Sequence, residues 1–138
     1  MPNFRIISRL DIKNGFVIKG IHLEGLRKVG NPLDLCTSYY RQGVDEVLFM
    51  DAVASYYGRN NLFDVIDQAG KNSFVPMAIG GGLKTMEDVD SAFQSGADKV
   101  SINTGIIRNP SFINEIAIKY GAQAVVCSIE AKIGRAHV

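Results

Sequence analysis

The chain has 138 residues, of which 46% are hydrophobic and 21% charged, and its formal net charge at pH 7 is +1. This composition is typical of one globular domain with an apolar core. Because no basic or acidic block is present, the charge argues against nucleic acid or an anionic membrane as a partner. The sequence has no apolar run of bilayer length and no signal-peptide centre near its start, so we expect a cytoplasmic protein.

The first segments predict two short β elements and a loop. An apolar run at 4–10 predicts a strand that ends in Asp11, and 16–19 predicts a second β segment. The residues that follow, up to Gly30, are rich in glycine and charge and predict a loop.

A helix and a strand come next. Asn31 is a good N-cap and Pro32 suits a first helical turn, so together they predict a helix start, and Gly43 predicts its end. The run 47–50 then predicts a strand that ends in Asp51.

The rest of the chain alternates between the two kinds of element. Apolar spacing with glycine and proline boundaries predicts helices at 61–69, 85–94 and 110–119, and strands at 74–79, 99–102 and 124–129. The two cysteines, Cys36 and Cys127, lack metal-ligand spacing and are expected to be reduced packing residues.

The predicted order is β(αβ)4, with five main strands that are apolar on both faces. Such strands belong in a parallel sheet covered by helices, which leaves an open doubly wound sheet or a (β/α)8 TIM barrel. No G-x-G-x-x-G motif is present, which weakens the dinucleotide-binding interpretation. A complete barrel takes about 250 residues, so the chain holds about half of one.

Two strand exits are rich in glycine and small polar residues. Three glycines at 80–82 follow the strand at 74–79, and the segment 101–105 leaves the next strand. Backbone N–H groups can approach an anion closely at such turns, so these exits predict a phosphorylated small molecule bound across several loops. The alternative is that the glycines only make a tight turn.

Carboxylates follow three of the strands, namely Asp11, Asp51 and Glu130. Parallel α/β enzymes place their chemistry at these strand ends, so Asp11 and Glu130 are candidates for a general acid–base pair. The structural alternative for each is a helix N-cap or a partner for a nearby lysine, such as Lys19 for Asp11.

Charged residues also stand near three strand starts, at Arg5, Glu46 and Lys99. They lie at the opposite mouth of the sheet and can form a ring of ion pairs there. Plain surface solvation is the alternative, because exposed pairs contribute little stability.

Several motifs together resemble one enzyme family. They are LDIKNG at 10–15, VIKG at 17–20, GGG at 80–82, GADKVSINT at 96–104 and QAVV at 123–126. Over about residues 4–132 the chain resembles the cyclase subunit of imidazole glycerol phosphate synthase. The sister isomerase of histidine biosynthesis shares the half-barrel pattern, but the first two motifs and the fourth resemble the cyclase more.

The resemblance implies the N-terminal half of a (β/α)8 TIM barrel and a lyase activity in the full-length protein. Such a cyclase takes ammonia from a glutaminase subunit, its heterodimer partner. It converts a phosphoribulosyl formimino-aminoimidazole carboxamide ribotide into imidazole glycerol phosphate and aminoimidazole carboxamide ribotide. The resemblance implies no metal and no organic cofactor.

The resemblance also implies roles for individual residues. The two catalytic carboxylates match Asp11 and Glu130. The candidates for binding substrate or its phosphate are Lys19, Gly82, Asn103 and Thr104. The gate through which ammonia enters from the partner matches Arg5, Glu46 and Lys99.

Two residues depart from the family pattern. Glu130 stands where the family has aspartate, and a displacement of about 1 Å can reduce a rate about a hundredfold. Arg9 stands two residues before Asp11, where the family usually has a small residue, and we expect it to pair with Glu130, with Asp11 as the other possible partner. These departures suggest a divergent paralogue.

We expect a half-barrel domain at 1–132 and a separate tail at 133–138, which resembles a translated sequencing adapter. The rival interpretation is a natural half-barrel that needs a second copy to close its ring. Three functions stay open: a cyclase, a paralogue that passes ammonia to another phosphorylated or nucleotide-sugar substrate, and a non-catalytic half-barrel. The isolated chain is expected to be inactive, because half of the pocket wall is missing.

Overall fold

The computed structural model describes residues 3–13, 15–21, 25–51, 62–72 and 75–129. Its strands form one sheet in the order β3-β2-β1-β4-β5-β6-β7. The strands are β1 (Ile7–Lys13), β2 (Phe16–Ile21), β3 (Gly25–Gly30), β4 (Glu46–Asp51), β5 (Met77–Gly80), β6 (Lys99–Ile102) and β7 (Val125–Cys127). The neighbours β1, β4, β5, β6 and β7 are all parallel, which confirms the predicted parallel sheet.

Helices connect the parallel strands. They are α1 (Pro32–Arg41), α2 (Leu62–Asn72), α3 (Met86–Gln94), α4 (Thr104–Arg108) and α5 (Ser111–Tyr120), and a 3₁₀ turn at Ala122–Ala124 precedes β7. The order is therefore the predicted β(αβ)4, with the β2–β3 hairpin inserted after β1. Among the described residues, no helix has the length and apolarity needed to cross a bilayer.

Side-chain caps form the starts of two helices. The side chain of Asn31 accepts a hydrogen bond from the amide of Leu33 at 2.8 Å, with Pro32 in the first turn of α1. Before α3, Thr85 and Asp88 form a capping box, in which each side chain accepts from the other residue's amide. These caps fix the directions in which both helices leave the sheet.

The predicted loop before Gly30 is wrong, because this segment contains β3. The strand pairs antiparallel with β2, for example between Ile18 and Lys28. The ammonium group of Lys28 lies 4.1 Å from the centre of the Phe16 ring. A cation that packs on an aromatic face helps to stabilise a hairpin. The sequence of β3 lacks the alternating apolar pattern by which a strand is predicted, so this contact left no signal there.

The limits of β1 also differ from the prediction. The apolar residues Phe4 and Ile6 are 88% and 67% exposed and precede the strand, which begins at Ile7. The strand continues to Lys13, because its last residues pair with β2 as well as β4. Asp11 therefore lies inside β1 rather than at its end.

The last strand is shorter than predicted. It ends at Cys127, and Glu130 and the tail at 133–138 lie outside the described residues. Cys127 is exposed, so its expected packing role is wrong, whereas Cys36 is buried as expected. A further helix, α4, occupies residues that were predicted only as a polar strand exit.

One face of the sheet packs against the helices. In β1, Leu10 and Ile12 are buried in the core, and the alternate residues Arg9 and Asp11 point to the other face. The core consists of apolar side chains from strands and helices, including Val47, Phe49, Ile66, Ile79, Val89, Val100, Ile102 and Ile116. The second face, which is richer in polar and small residues, leads to the candidate site.

A polar cluster joins α3 to α5. Asp90 accepts hydrogen bonds from Lys119 Nζ at 2.8 Å and from the Tyr120 hydroxyl, and the rings of Phe93 and Tyr120 stack with centroids 4.0 Å apart. The Lys119 bond, followed by the Tyr120 bond, lowers the pKa of Asp90 below its usual range. The bond to Asp90 raises the pKa of both Lys119 and Tyr120.

These directions predict how stability depends on pH. The contribution of Asp90 is present above the ordinary carboxyl pKa of about 4 and is lost as pH falls through the lowered value. The contributions of Lys119 and Tyr120 are lost as pH rises above about 10. We expect thermal unfolding to show that Asp90→Asn lowers the midpoint near neutral pH, and that variant and parent converge in acid. A constant difference down to about pH 2 would contradict this role of Asp90.

Candidate active site

A cavity of about 420 Å³ lies at the carboxyl ends of the parallel strands. It is lined by residues on these strands or in the segments that follow them: Arg9, Asp11, Met50, Asp51, Gly81, Gly82, Leu83, Lys84, Ser101, Asn103, Gly105, Arg108 and Ser128. Five strands thus contribute to one concave surface, at the end of the sheet where parallel α/β proteins hold ligands.

The β1 wall carries an ion pair. Arg9 Nε donates to Asp11 Oδ1 at 2.9 Å, and the two side chains are 49% and 40% exposed. Arg9 is therefore half-exposed, and it pairs with Asp11, the alternative partner from the sequence. Glu130 lies outside the described residues, so an Arg9–Glu130 pair stays a prediction.

Asp51, another of the three carboxylates noted in the sequence after predicted strands, also lines the cavity. Asp51 is the last residue of β4, is only 7% exposed, and lines the same cavity as Asp11. The two carboxylates stand on neighbouring strands, since Asp51 pairs in register with Ile12, the residue after Asp11.

At the exit of β5, Gly81 is required both by close packing against backbone atoms and by its backbone conformation. A Cβ at Gly80 would lie 2.7 Å from the methyl group of Met50, and one at Gly81 would lie 2.4 Å from the carbonyl oxygen of Asp51. Gly81 and Gly82 also have positive φ angles, of 92° and 70°. The exit of β5 therefore passes directly over the end of β4, and its backbone forms part of the cavity wall.

The exit of β6 forms the adjacent wall. Ser101 is 5% exposed, and Asn103 precedes α4 without a capping hydrogen bond from its side chain. Thr104 begins α4. A Cβ at Gly105 would lie 3.3 Å from the carbonyl oxygen of Leu83, which shows how closely α4 approaches the glycine turn.

Lys19 is not brought to this cavity. It is exposed on β2, opposite Arg27 in the hairpin register, and is not among the residues that line the cavity in the described part of the chain. Asp11 has Arg9 as its ion-pair partner rather than Lys19. The role of Lys19 in substrate binding stays a prediction.

Two cations at the cavity were missed by sequence reasoning. Lys84 follows the glycine turn by two residues, and Arg108 ends α4. Lys84 could have been found from the sequence, because a residue shortly after a predicted phosphate-binding turn lies close to the site. No signal marked Arg108, because the helix that carries it was not predicted.

The charged residues near the strand starts meet at the opposite end of the sheet. Glu46 Oε2 lies 3.3 Å from Lys99 Nζ and 3.6 Å from Arg5 Nη1. The side chain of Glu46 is 4% exposed, that of Lys99 22% and that of Arg5 59%. A buried carboxylate is thus held between one shielded and one solvated cation, as an ion-pair cluster rather than scattered surface charge.

A parallel sheet with helices on one face and a cavity at the carboxyl strand ends defines half of a TIM barrel. A family model described as "Histidine biosynthesis protein" matches residues 5–138. The chain belongs to this family.

Several curated relatives of the chain carry the description imidazole glycerol phosphate synthase subunit HisF. The protein of Legionella pneumophila is 52% identical over 132 residues, which cover 96% of this chain and 62% of the relative. Those of Bifidobacterium longum (strain DJO10A) and Methanopyrus kandleri are 45% and 46% identical over 128 residues, which cover 93% of this chain. The matches cover 50% and 47% of these two relatives, so the chain spans about half the length of the relatives it matches.

Proposed function

We propose that this chain is the N-terminal half of the cyclase subunit of imidazole glycerol phosphate synthase. The complete enzyme, a lyase, would use ammonia to convert the ribotide substrate into imidazole glycerol phosphate and aminoimidazole carboxamide ribotide. One observation carries the proposal: Asp11, Gly82 and Asn103 meet at a single cavity in a chain of the histidine biosynthesis family.

Asp11 would serve as a general acid–base, with Glu130 as the second catalytic carboxylate. The proposal is supported by the position of Asp11, whose carboxylate lines the cavity and is 40% exposed. A ligand can therefore reach this carboxylate, and a general acid–base needs that access.

Gly82, Asn103 and Thr104 would hold one phosphate of the substrate. The glycine turn supports this role, because consecutive positive φ angles at Gly81 and Gly82 allow successive backbone N–H groups to approach one anion. The side chain of Asn103 makes no cap to α4 and lines the same cavity.

Ammonia would enter from a glutaminase partner at the opposite end of the sheet. The gate would consist of Arg5, Glu46 and Lys99, and their ion pairs near the strand starts support the proposal. The buried carboxylate of Glu46 lies at the centre of this cluster, between the two cations.

The test is a chimaera in which residues 5–132 of this chain replace the matching segment of the Legionella pneumophila relative. We expect ammonium-dependent turnover of the ribotide, and Asp11→Asn should reduce it by about 10²–10⁴-fold. Asp34→Asn, the same change at an exposed position on α1, is the matched control and should leave turnover unchanged. Equal rates for the Asp11 variant and the parent would contradict the assigned role.

The Arg9–Asp11 ion pair favours a second candidate function. A guanidinium beside the proposed catalytic carboxylate suits a paralogue that passes ammonia to another phosphorylated or nucleotide-sugar substrate. The same chimaera separates the two functions. Turnover of the ribotide supports the cyclase, and a folded chimaera that is inactive on it contradicts the cyclase.

A further inference from the structure

The charges around the cavity are unevenly distributed. The carboxylates Asp11 and Asp51 belong to β1 and β4, on one side. The cations Lys84 and Arg108 belong to the segments after β5 and β6, on the other side. Arg9 is the third cation, but its charge is balanced by Asp11 at 2.9 Å. The cavity therefore has an acidic side and a cationic side.

Lys84 and Arg108 have no carboxylate partner among the described residues. Asp88 is the acidic residue near Lys84 that takes part in this turn. It accepts from the backbone amides of Lys84 and Thr85 and so is engaged in the cap of α3. The two cationic side chains are exposed and are available to a ligand in the cavity.

The two segments that carry these cations touch. Gly105, in the first turn of α4, packs closely against the carbonyl oxygen of Leu83, which is the residue before Lys84. Arg108 lies one turn further along α4, and both cations line the same cavity. An anion seated on the glycine turn would therefore lie beside both positive charges.

We propose that Lys84 and Arg108 bind the phosphate group of a phosphate monoester whose backbone contacts come from the glycine turn. The proposal rests on the proposed function and extends it to two side chains that the family resemblance does not assign. A phosphate dianion suits this side, because Lys and Arg supply charge-assisted hydrogen bonds that backbone amides alone do not.

The asymmetry also orients the ligand. A phosphate held between Lys84 and Arg108 directs the rest of the molecule across the cavity toward Asp11 and Asp51. The cationic side would thus select ligands with a phosphate at one end and present their other end to the proposed catalytic carboxylate.

The experiment titrates the 138-residue chain with inorganic phosphate and follows the backbone amide resonances of Gly82 and Asn103. We expect saturable shifts. Lys84→Gln and Arg108→Gln should each weaken binding by about threefold, and the double variant by about tenfold, as for solvent-accessible ion pairs. Both side chains are exposed, so these variants should fold like the parent, which circular dichroism checks.

Arg41→Gln is the matched control. It removes the same charge from an exposed residue at the end of α1, on the side of the strand starts, and should not change the affinity. An equal loss in this variant would overturn the proposal, because net charge alone would explain it. Unchanged affinity in the double variant would also overturn the proposal. The phosphate site formed by the glycine turn in the proposed function would still stand. If phosphate shifts neither resonance even in the parent, the phosphate site of the proposed function fails as well.

Discussion

Gly81→Ala is expected to lower the free energy of unfolding by about 3–5 kcal/mol and to abolish ligand binding at the cavity. The new Cβ would lie 2.4 Å from the carbonyl oxygen and 2.9 Å from the amide nitrogen of Asp51. Both atoms belong to the backbone of β4, so neither can rotate away as a side chain would. The turn must move, and the amides that line the cavity move with it.

Gly43→Ala provides a control matched in backbone conformation. Gly43 has a φ of 90°, against 92° for Gly81, but a Cβ at Gly43 would meet no atom within 4 Å. This variant should lose only the conformational term of about 1–2 kcal/mol. Urea unfolding of both variants measures the difference, and equal losses would show that the close approach of the β4 and β5 exits has no energetic weight.

Lys99→Met is expected to lower the free energy of unfolding by about 2–4 kcal/mol. It removes the nearer and more shielded cation from Glu46, whose side chain is 4% exposed. The remaining partner, Arg5, is 59% exposed and 3.6 Å away, so it compensates the buried charge poorly. The large effect comes from leaving a carboxylate in the protein interior, more than from the energy of the lost contact.

Arg5→Met is the matched control and should cost less than about 1 kcal/mol, because its ion pair is solvated. Adding Glu46→Leu to Lys99→Met should recover much of the stability, since no buried charge is then left unpaired. Chemical unfolding of the single and double variants gives the coupling between the two residues. A double variant less stable than Lys99→Met alone would contradict this account.

Sequence patterns predicted the parallel strands and most helices, because each of these elements carries a local signal. β4 and β6 are short apolar runs, and α1 and α3 begin at side chains that cap them. β3 has no such signal. Its pairing with β2 depends on backbone hydrogen bonds and on the contact of Lys28 with Phe16, which links two different strands.

The site was predictable where it depends on strand ends and unpredictable where it depends on tertiary contacts. The glycine turn could be found, because parallel strands bring their carboxyl ends to one edge. Asp11 reaches the same edge although it lies inside β1, because it pairs with Met50 near the end of β4. The choice of Asp11 as the partner of Arg9 depends on side-chain rotamers, which spacing alone does not fix. Arg108 reaches the cavity only because residues after β6 form a helix that packs on Leu83.

Strand β4 separates the two polar ends of the domain. It begins at Glu46 in the ion-pair cluster and ends at Asp51 at the cavity, and five residue steps of about 3.3 Å put these positions about 16 Å apart. The side chains between them, such as Phe49, belong to the apolar core. Substitutions in the loops around the cavity can therefore change ligand preference without disturbing the ion pairs near the strand starts. The sequence around the cavity can therefore diverge separately from the ion-pair cluster of Arg5, Glu46 and Lys99. A change of ligand at the cavity does not require a change in that cluster.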